Sequence, residues 1–219
     1  MLRVALALLG LVLVALVGGQ IVLPRVAERR IAGDLRATGE VEHVSVRSFP
    51  AVKLLWNRAD RVEVRMSEAR AGTGRLAKLL AKTHGTSELD ARIARVQVGP
   101  LLLRGLRLRK GSGRLGAEAS VDSADLAAAL PPQLAIRPLV AEDGQLVLEA
   151  TAGLFGMNAA FRARLSVRDG ALVIAPDGVL GGLGALTVFR DSRVQVTGVG
   201  SRPRADGFTL LANARLAAP

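Results

Sequence analysis

Hydrophobic residues along this 219-residue chain follow three successive patterns. The first is continuous. From Val4 to Leu23 there is no charged residue, and Arg3 precedes the run. At 1.5 Å per residue a helix of that length reaches about 30 Å, the thickness of a bilayer's hydrocarbon. Residues 1–23 are therefore expected to be a signal-anchor or a signal peptide. Val17-Gly18-Gly19 offers small residues for cleavage before Gln20, whereas the apolar stretch continuing to Leu23 favours an uncleaved anchor.

The second pattern is helical. Beyond Pro24, the apolar residues Val26, Ala27, Ile31 and Leu35 recur at near-helical spacing, with Glu28, Arg29, Asp34 and Arg36 on other faces. This predicts an amphipathic helix that starts or kinks at Pro24 and ends near Gly39.

The third pattern has period two, the mark of a strand with one buried and one wet face. It runs through 44–47, 61–66, 95–98, 106–109, 145–149, 161–168, 193–197 and 208–216. Asp169-Gly170 joins 161–168 to Leu172-Val173-Ile174 as a hairpin, and Asp143-Gly144, Asp177-Gly178 and Asp206-Gly207 punctuate other runs. Short helices are expected at 76–82 and at 124–130, the latter stopped by Pro131-Pro132. The pattern predicts an α+β domain over 24–219 with about eight strands, mostly antiparallel because the connections are short.

Composition narrows the core. Half of the residues are hydrophobic, but aromatics make up only 3%, with one Trp and no Tyr, so Leu, Val, Ile and Ala must fill the interior. The absence of Cys excludes disulfides, thiolate catalysis, Cys-based zinc sites and a lipoprotein-type anchor.

Charge points to anions. The formal net charge is +11, carried mainly by Arg, with Lys only at 53, 78, 82 and 110. Such a surface attracts nucleic acid, anionic lipid headgroups or acidic polymers, although Arg-rich, Ala-rich usage also follows from genomic base composition. Residues 92–114 hold seven basic side chains and no acidic one. Within that stretch Arg104, Arg107, Arg109 and Lys110 are the candidates for an anionic headgroup or surface, at about 1 kcal/mol per basic group near a charged membrane. The alternative is a solvated face whose Arg stems cover apolar surface. Nucleic acid is disfavoured: single-strand binding uses aromatic platforms, and no helix-turn-helix or zinc pattern occurs.

Orientation has two opposing cues. Arg25, Arg29 and Arg30 follow the apolar run and would alone keep the C-terminal part cytoplasmic. The signal-like leader argues for an extracytoplasmic domain, the reading adopted here.

Catalytic signals are weak. His43 and His84 are the only histidines; each is expected in a solvated turn or surface loop. No Gly-x-Ser-x-Gly elbow is present, and Gly72-Thr73-Gly74 and Gly111-Ser112-Gly113 lack the context of a phosphate loop and read as turns. The expectation is a non-enzyme without metal or cofactor.

Several segments together resemble the LmeA-like phospholipid-binding family of actinobacterial cell-envelope proteins. They are Ala27-Glu28-Arg29-Arg30-Ile31-Ala32-Gly33-Asp34-Leu35, Val44-Ser45-Val46 leading into Ser48-Phe49-Pro50, and Arg61-Val62-Glu63-Val64. Later come Asp125 through Leu130, Val167 through Leu172, and Asp206-Gly207-Phe208 through Leu216. The family's usual Gly before Phe-Pro is Ser48 here, and Gly184-Ala185-Leu186-Thr187 stands where the family is Pro-rich. The resemblance implies an extracytoplasmic, non-catalytic phospholipid binder. It also implies a long, curved antiparallel sheet wrapped around a helix, as in tubular lipid-binding (TULIP-like) domains.

A carrier must cover a fatty tail. About 15 methylenes cost roughly 12 kcal/mol in water at ~0.8 kcal/mol each. On this reading the candidate groove is the apolar side of the strands at Leu146, Leu148, Phe161, Leu165, Val167, Phe208 and Leu210. The competing reading is a closed, non-enzymatic structural or interaction domain whose basic face docks an anionic envelope polymer.

Overall fold

The computed structural model describes residues 20–70, 72–98, 101–128, 134–140, 146–154, 157–176 and 185–217. Helix α1 occupies residues 20–36. It is already formed ahead of Pro24, so that proline lies inside the helix rather than opening it. Thr38 closes α1: both its amide and its hydroxyl donate to the Leu35 carbonyl, at 2.8 and 2.6 Å. Gly39 then turns the chain into a strand. A Cβ there would fall on the Glu68 carbonyl oxygen, so the close approach needs glycine.

Two sheets follow. The larger comprises β1 (Gly39–Arg47), β2 (Ala59–Arg70), β3 (Thr86–Val98), β4 (Leu101–Gly111), β5 (Arg114–Asp122), β11 (Val194–Arg204) and β12 (Gly207–Leu216). Its order is β1-β2-β3-β4-β5-β12-β11. The smaller comprises β6 (Leu134–Val140), β7 (Leu146–Leu154), β8 (Met157–Arg168), β9 (Ala171–Pro176) and β10 (Leu186–Phe189), in the order β10-β9-β8-β7-β6. Helix α2 (Thr73–Lys82) runs between β2 and β3, and α3 (Ser123–Ala128) follows β5.

The expected antiparallel sheet is thus corrected to a mixed one. β2 and β3 are parallel, because α2 and the 3-10 turn Thr83–Gly85 carry the chain back before β3 begins. Twelve strands are present among the described residues, rather than about eight. β5 escapes the period-two reading because small residues, Gly116, Ala117 and Ala119, occupy much of it. β6 escapes because it contains Pro138, which suits its position at the sheet edge. The Asp169-Gly170 hairpin is as expected, with φ of 51° and 72° at its two central residues. Ser112-Gly113 makes the same kind of turn between β4 and β5. His43 lies on β1, exposed, and not in a turn. Asp143-Gly144, Asp177-Gly178 and Pro131-Pro132 lie outside the described residues.

The apolar side chains of the large sheet form three clusters. Ala27, Ile31 and Leu35 of α1 pack on Val46, Val62, Val64, Met66, Leu89, Ile93 and Val96. Ala77 and Leu80 of α2 join Leu115, Val194, Ala214 and Leu216. The small sheet adds Leu146, Leu148 and Leu165 to Val121 and Phe208. The spacing that made α1 amphipathic is the spacing that seats it on β1–β3. Glu28, on its flank, accepts the Val46 amide at 2.9 Å and fixes the helix against β1.

Candidate functional site

Between α1, α2 and strands β2–β4 lies an apolar pocket of about 180 Å³. Val62, Val64 and Met66 of β2, with Leu89, Ala91 and Ile93 of β3, make its floor. Ile31 and Leu35 of α1 and Leu79 and Leu80 of α2 cover it. The parallel β2–β3 pair sets Val62 beside Leu89, Val64 beside Ala91 and Met66 beside Ile93, so alternate residues of both strands face the helices together. Ala91 is the small member of that floor and leaves space above itself.

One polar link crosses the roof. Lys82 of α2 donates to Asp34 of α1 at 2.7 Å. That hydrogen bond, with the lysine's charge, holds the Asp34 carboxyl below its ordinary range. Both side chains are half exposed, so the pair contributes no more than ~1 kcal/mol.

The back wall is held differently. Lys110 at the end of β4 is buried, and its ammonium donates to the carbonyls of Thr83, His84 and Thr86 at 2.5, 3.2 and 2.8 Å. Three donors meet three acceptors, without a carboxylate among them, and burial lowers the lysine's pKa. Thr83 and Thr86 also line the pocket, so Lys110 braces the junction where α2 hands over to β3.

The sequence candidates fall into several places. Leu146, Leu148, Leu165 and Phe208 are buried together between the two sheets, with Leu210 packed against them. Val167 is half-buried on β8. The Phe161 side chain lies outside the described residues, although its backbone pairs with Ala150. None of the other six lines the apolar pocket. The pocket residues carried no special mark in the sequence, being ordinary alternating Val, Leu and Ala; only the return of α2 over a parallel pair opens the space.

The four basic candidates also separate. Arg104 bridges Asp122 at 2.8 Å and Asp125 at 2.9 Å, tying β4 to α3, and the hydrogen bond to Asp125 raises its pKa further. Lys110 is committed to carbonyls as described. Arg107 and Arg109 are exposed on β4. Arg107 stands opposite Arg92, which in turn stands opposite Arg65, so three exposed arginines cross three strands in one row. Among the described residues no group of three or more His, Asp or Glu could hold a metal ion. No helix of the described residues is long and apolar enough to cross a membrane.

The described residues thus make a sheet-rich α+β protein with an apolar pocket between two helices and the sheet. A family match defines it further. It spans residues 14–210, and the chain belongs to the LmeA-like phospholipid-binding family. No curated protein and no solved structure matches the chain.

Proposed function

We propose that this protein is a membrane-tethered, extracytoplasmic phospholipid-binding protein that holds an acyl chain in the pocket beneath α1 and α2. It binds or presents lipid for cell-envelope maintenance and carries out no reaction on it. The residues 24–219 act as one lipid-binding unit of tubular type, and residues 1–23 tether it.

The observation that supports this reading is the pocket's lining, in which twelve aliphatic or methionine side chains outnumber five polar ones. A cavity of about 150 Å³ lined by apolar side chains stays dry and admits a benzene ring. On that scale the pocket takes about seven carbons, roughly half of a 15-methylene tail. Seven methylenes shielded from water are worth about 5–6 kcal/mol. The rest of the tail requires α1 and α2 to part, and the exposed Asp34–Lys82 pair is the link that gives way. A bilayer already shields the same tail, so net transfer is nearly balanced, which suits exchange rather than permanent capture.

Ala91→Phe tests this. It places a phenyl ring, the size of ligand that such a cavity admits, on the pocket floor. Native mass spectrometry of the wild-type chain released from detergent is expected to show retained phospholipid, and the variant is expected to lose it while keeping its circular dichroism spectrum. Equal retention by a folded variant contradicts the pocket assignment.

A second reading rests on the row Arg65–Arg92–Arg107, which offers aligned positive charge to an anionic envelope polymer. It predicts salt-sensitive polyanion binding that Ala91→Phe leaves unchanged.

A further inference from the structure

The connection between β1 and β2 carries the three most exposed large apolar side chains among the described residues. Phe49 is 77% exposed, Trp56 67% and Leu55 64%. This loop is nevertheless firmly built. Asp60 accepts the Phe49 amide at 2.6 Å and the Lys53 ammonium at 3.3 Å, and the first of these contacts holds its carboxyl below the ordinary range. Ala51–Trp56 forms a 3-10 turn, ended by Asn57 in the left-handed region at φ 55°, with the Asn57 and Arg58 amides donating back to Leu54 and Lys53. Ala51 is buried, and Leu54 packs on the core beneath α1. Leu54 therefore secures the turn from below while its neighbours Leu55 and Trp56 point away from any protein contact that would bury them.

The same end of the molecule carries a second exposed apolar group. The Ala51 amide donates to the Gln20 side chain at 3.0 Å, which sets the loop beside the first described turn of α1. There Ile21, Val22 and Val26 are each about half exposed, at 51, 55 and 54%. Gln20 and Leu23 lie within the apolar run that begins at Val4. Arg25, Arg47 and Arg58, which flank these segments along the chain, are exposed. Large apolar side chains flanked by cations, set where a bilayer-length apolar segment joins the fold, match the chemistry of a membrane interface: aromatic rings at headgroup depth and arginines toward phosphate.

We infer that the Phe49–Trp56 loop, with the exposed side of the first turns of α1, docks on the lipid bilayer surface and places Phe49, Leu55 and Trp56 in its interfacial layer. This surface is separate from the acyl pocket, whose lining begins on α1 at Ile31. It gives the protein a fixed stance on the membrane, so that tethering and docking act at one end of the molecule. Asp60 is the acid beside the loop and is engaged by the Phe49 amide and Lys53, so Arg25, Arg47 and Arg58 leave the flanks net positive, which fits an anionic bilayer surface.

Trp56 is the chain's single tryptophan and reports on its own surroundings. The full-length chain is reconstituted into phosphatidylcholine–phosphatidylglycerol vesicles containing lipids brominated either near the headgroup or deep in the acyl chain. Docking predicts a blue-shifted Trp56 emission that the shallow bromines quench strongly and the deep ones weakly, with the same result in Ala91→Phe. Emission at the position of a water-exposed indole, without quenching, overturns the inference. So does quenching that disappears in Ala91→Phe, since the quencher is then a lipid in the pocket. A blue shift without quenching that grows with protein density assigns the patch to contact between copies and overturns it as well. Loss of bound lipid in mass spectrometry with shallow quenching retained leaves docking standing and sinks only the pocket reading.

Discussion

Replacing Lys110 by Met removes the brace behind the pocket while keeping a side chain of similar length. The ammonium supplies charge-assisted hydrogen bonds to Thr83, His84 and Thr86. Bonds of this kind are worth about 1.5–3 kcal/mol each, and a buried carbonyl left without a donor costs about 1–3 kcal/mol. Only the bond to Thr86 is fully buried; those to Thr83 and His84 are partly buried, so water partly replaces the lost donor there. Against this stands the relief of a desolvated charge, whose cost is visible in the lowered pKa. The net expectation is a loss of about 3 kcal/mol. For a protein of this size that is a fall in Tm of roughly 6–12 °C. Circular dichroism melts of the full-length chain in mild detergent measure it. A pH series adds a second readout. The folded lysine titrates below its unfolded value of about 10.4, so between the two values the unfolded chain binds more protons and stability rises with pH. The penalty is full below the folded pKa and gone above the unfolded one, and Lys110→Met abolishes the rise. An unchanged or higher Tm would refute the reasoning, because the buried charge would then cost more than its three bonds return.

Other expectations follow from the ion pairs. The Asp191 carboxyl sits at about 2 because the Arg193 side chain and amide both donate to it. Its contribution to stability is full above about pH 4, the unfolded value, and is lost as pH falls toward 2. Melts of Asp191→Asn should therefore be flatter than wild type across that window and should differ from it mainly above it. Arg104→Ala frees both Asp122 and Asp125 from β4, but the arginine is exposed, so the drop in Tm should be less than half that of Lys110→Met. Adding Asp125→Ala should cost little more, since the shared partner is already gone. Asp34→Asn should change Tm by no more than about 4 °C yet speed lipid exchange between vesicles, because it loosens the α1–α2 roof without touching the floor.

How far the sequence foretold this structure depended on side-chain size and on distance along the chain. Strands such as β2 and β8 alternate apolar with charged residues, and β12 alternates them mainly with uncharged polar ones, so their positions were legible. β5 and β6 were not, since glycine, alanine and proline weaken the same signal. Parallel pairing of β2 with β3 was hidden because it depends on the path of α2, a helix whose own pattern does not state where it returns. The charge of 92–114 misled in a similar way. The run holds no acid, yet Asp90, Asp122 and Asp125 partner its arginines from just outside it. Lys110 looked like its neighbours Arg107 and Arg109, but it shares the face of Leu106 and Leu108, and alternation alone turns it inward while they stay exposed. Leu146, Leu148, Leu165 and Phe208, four of the seven groove candidates, share one buried cluster between the sheets; the pocket beneath α1 was not found, because empty space has no residue to signal it.

The central claim is that a phospholipid tail lies between α1 and the β2–β3 floor. Photo-crosslinking measures this directly: the full-length chain is loaded with a phospholipid bearing a diazirine near the end of its acyl chain, irradiated, digested and sequenced by mass spectrometry. The account predicts adducts on the peptides carrying Ile31–Leu35, Val62–Met66 and Leu89–Ile93. Adducts confined to the peptides of Leu146–Leu148 and Phe208–Leu210, or no adduct on any of these, would contradict it.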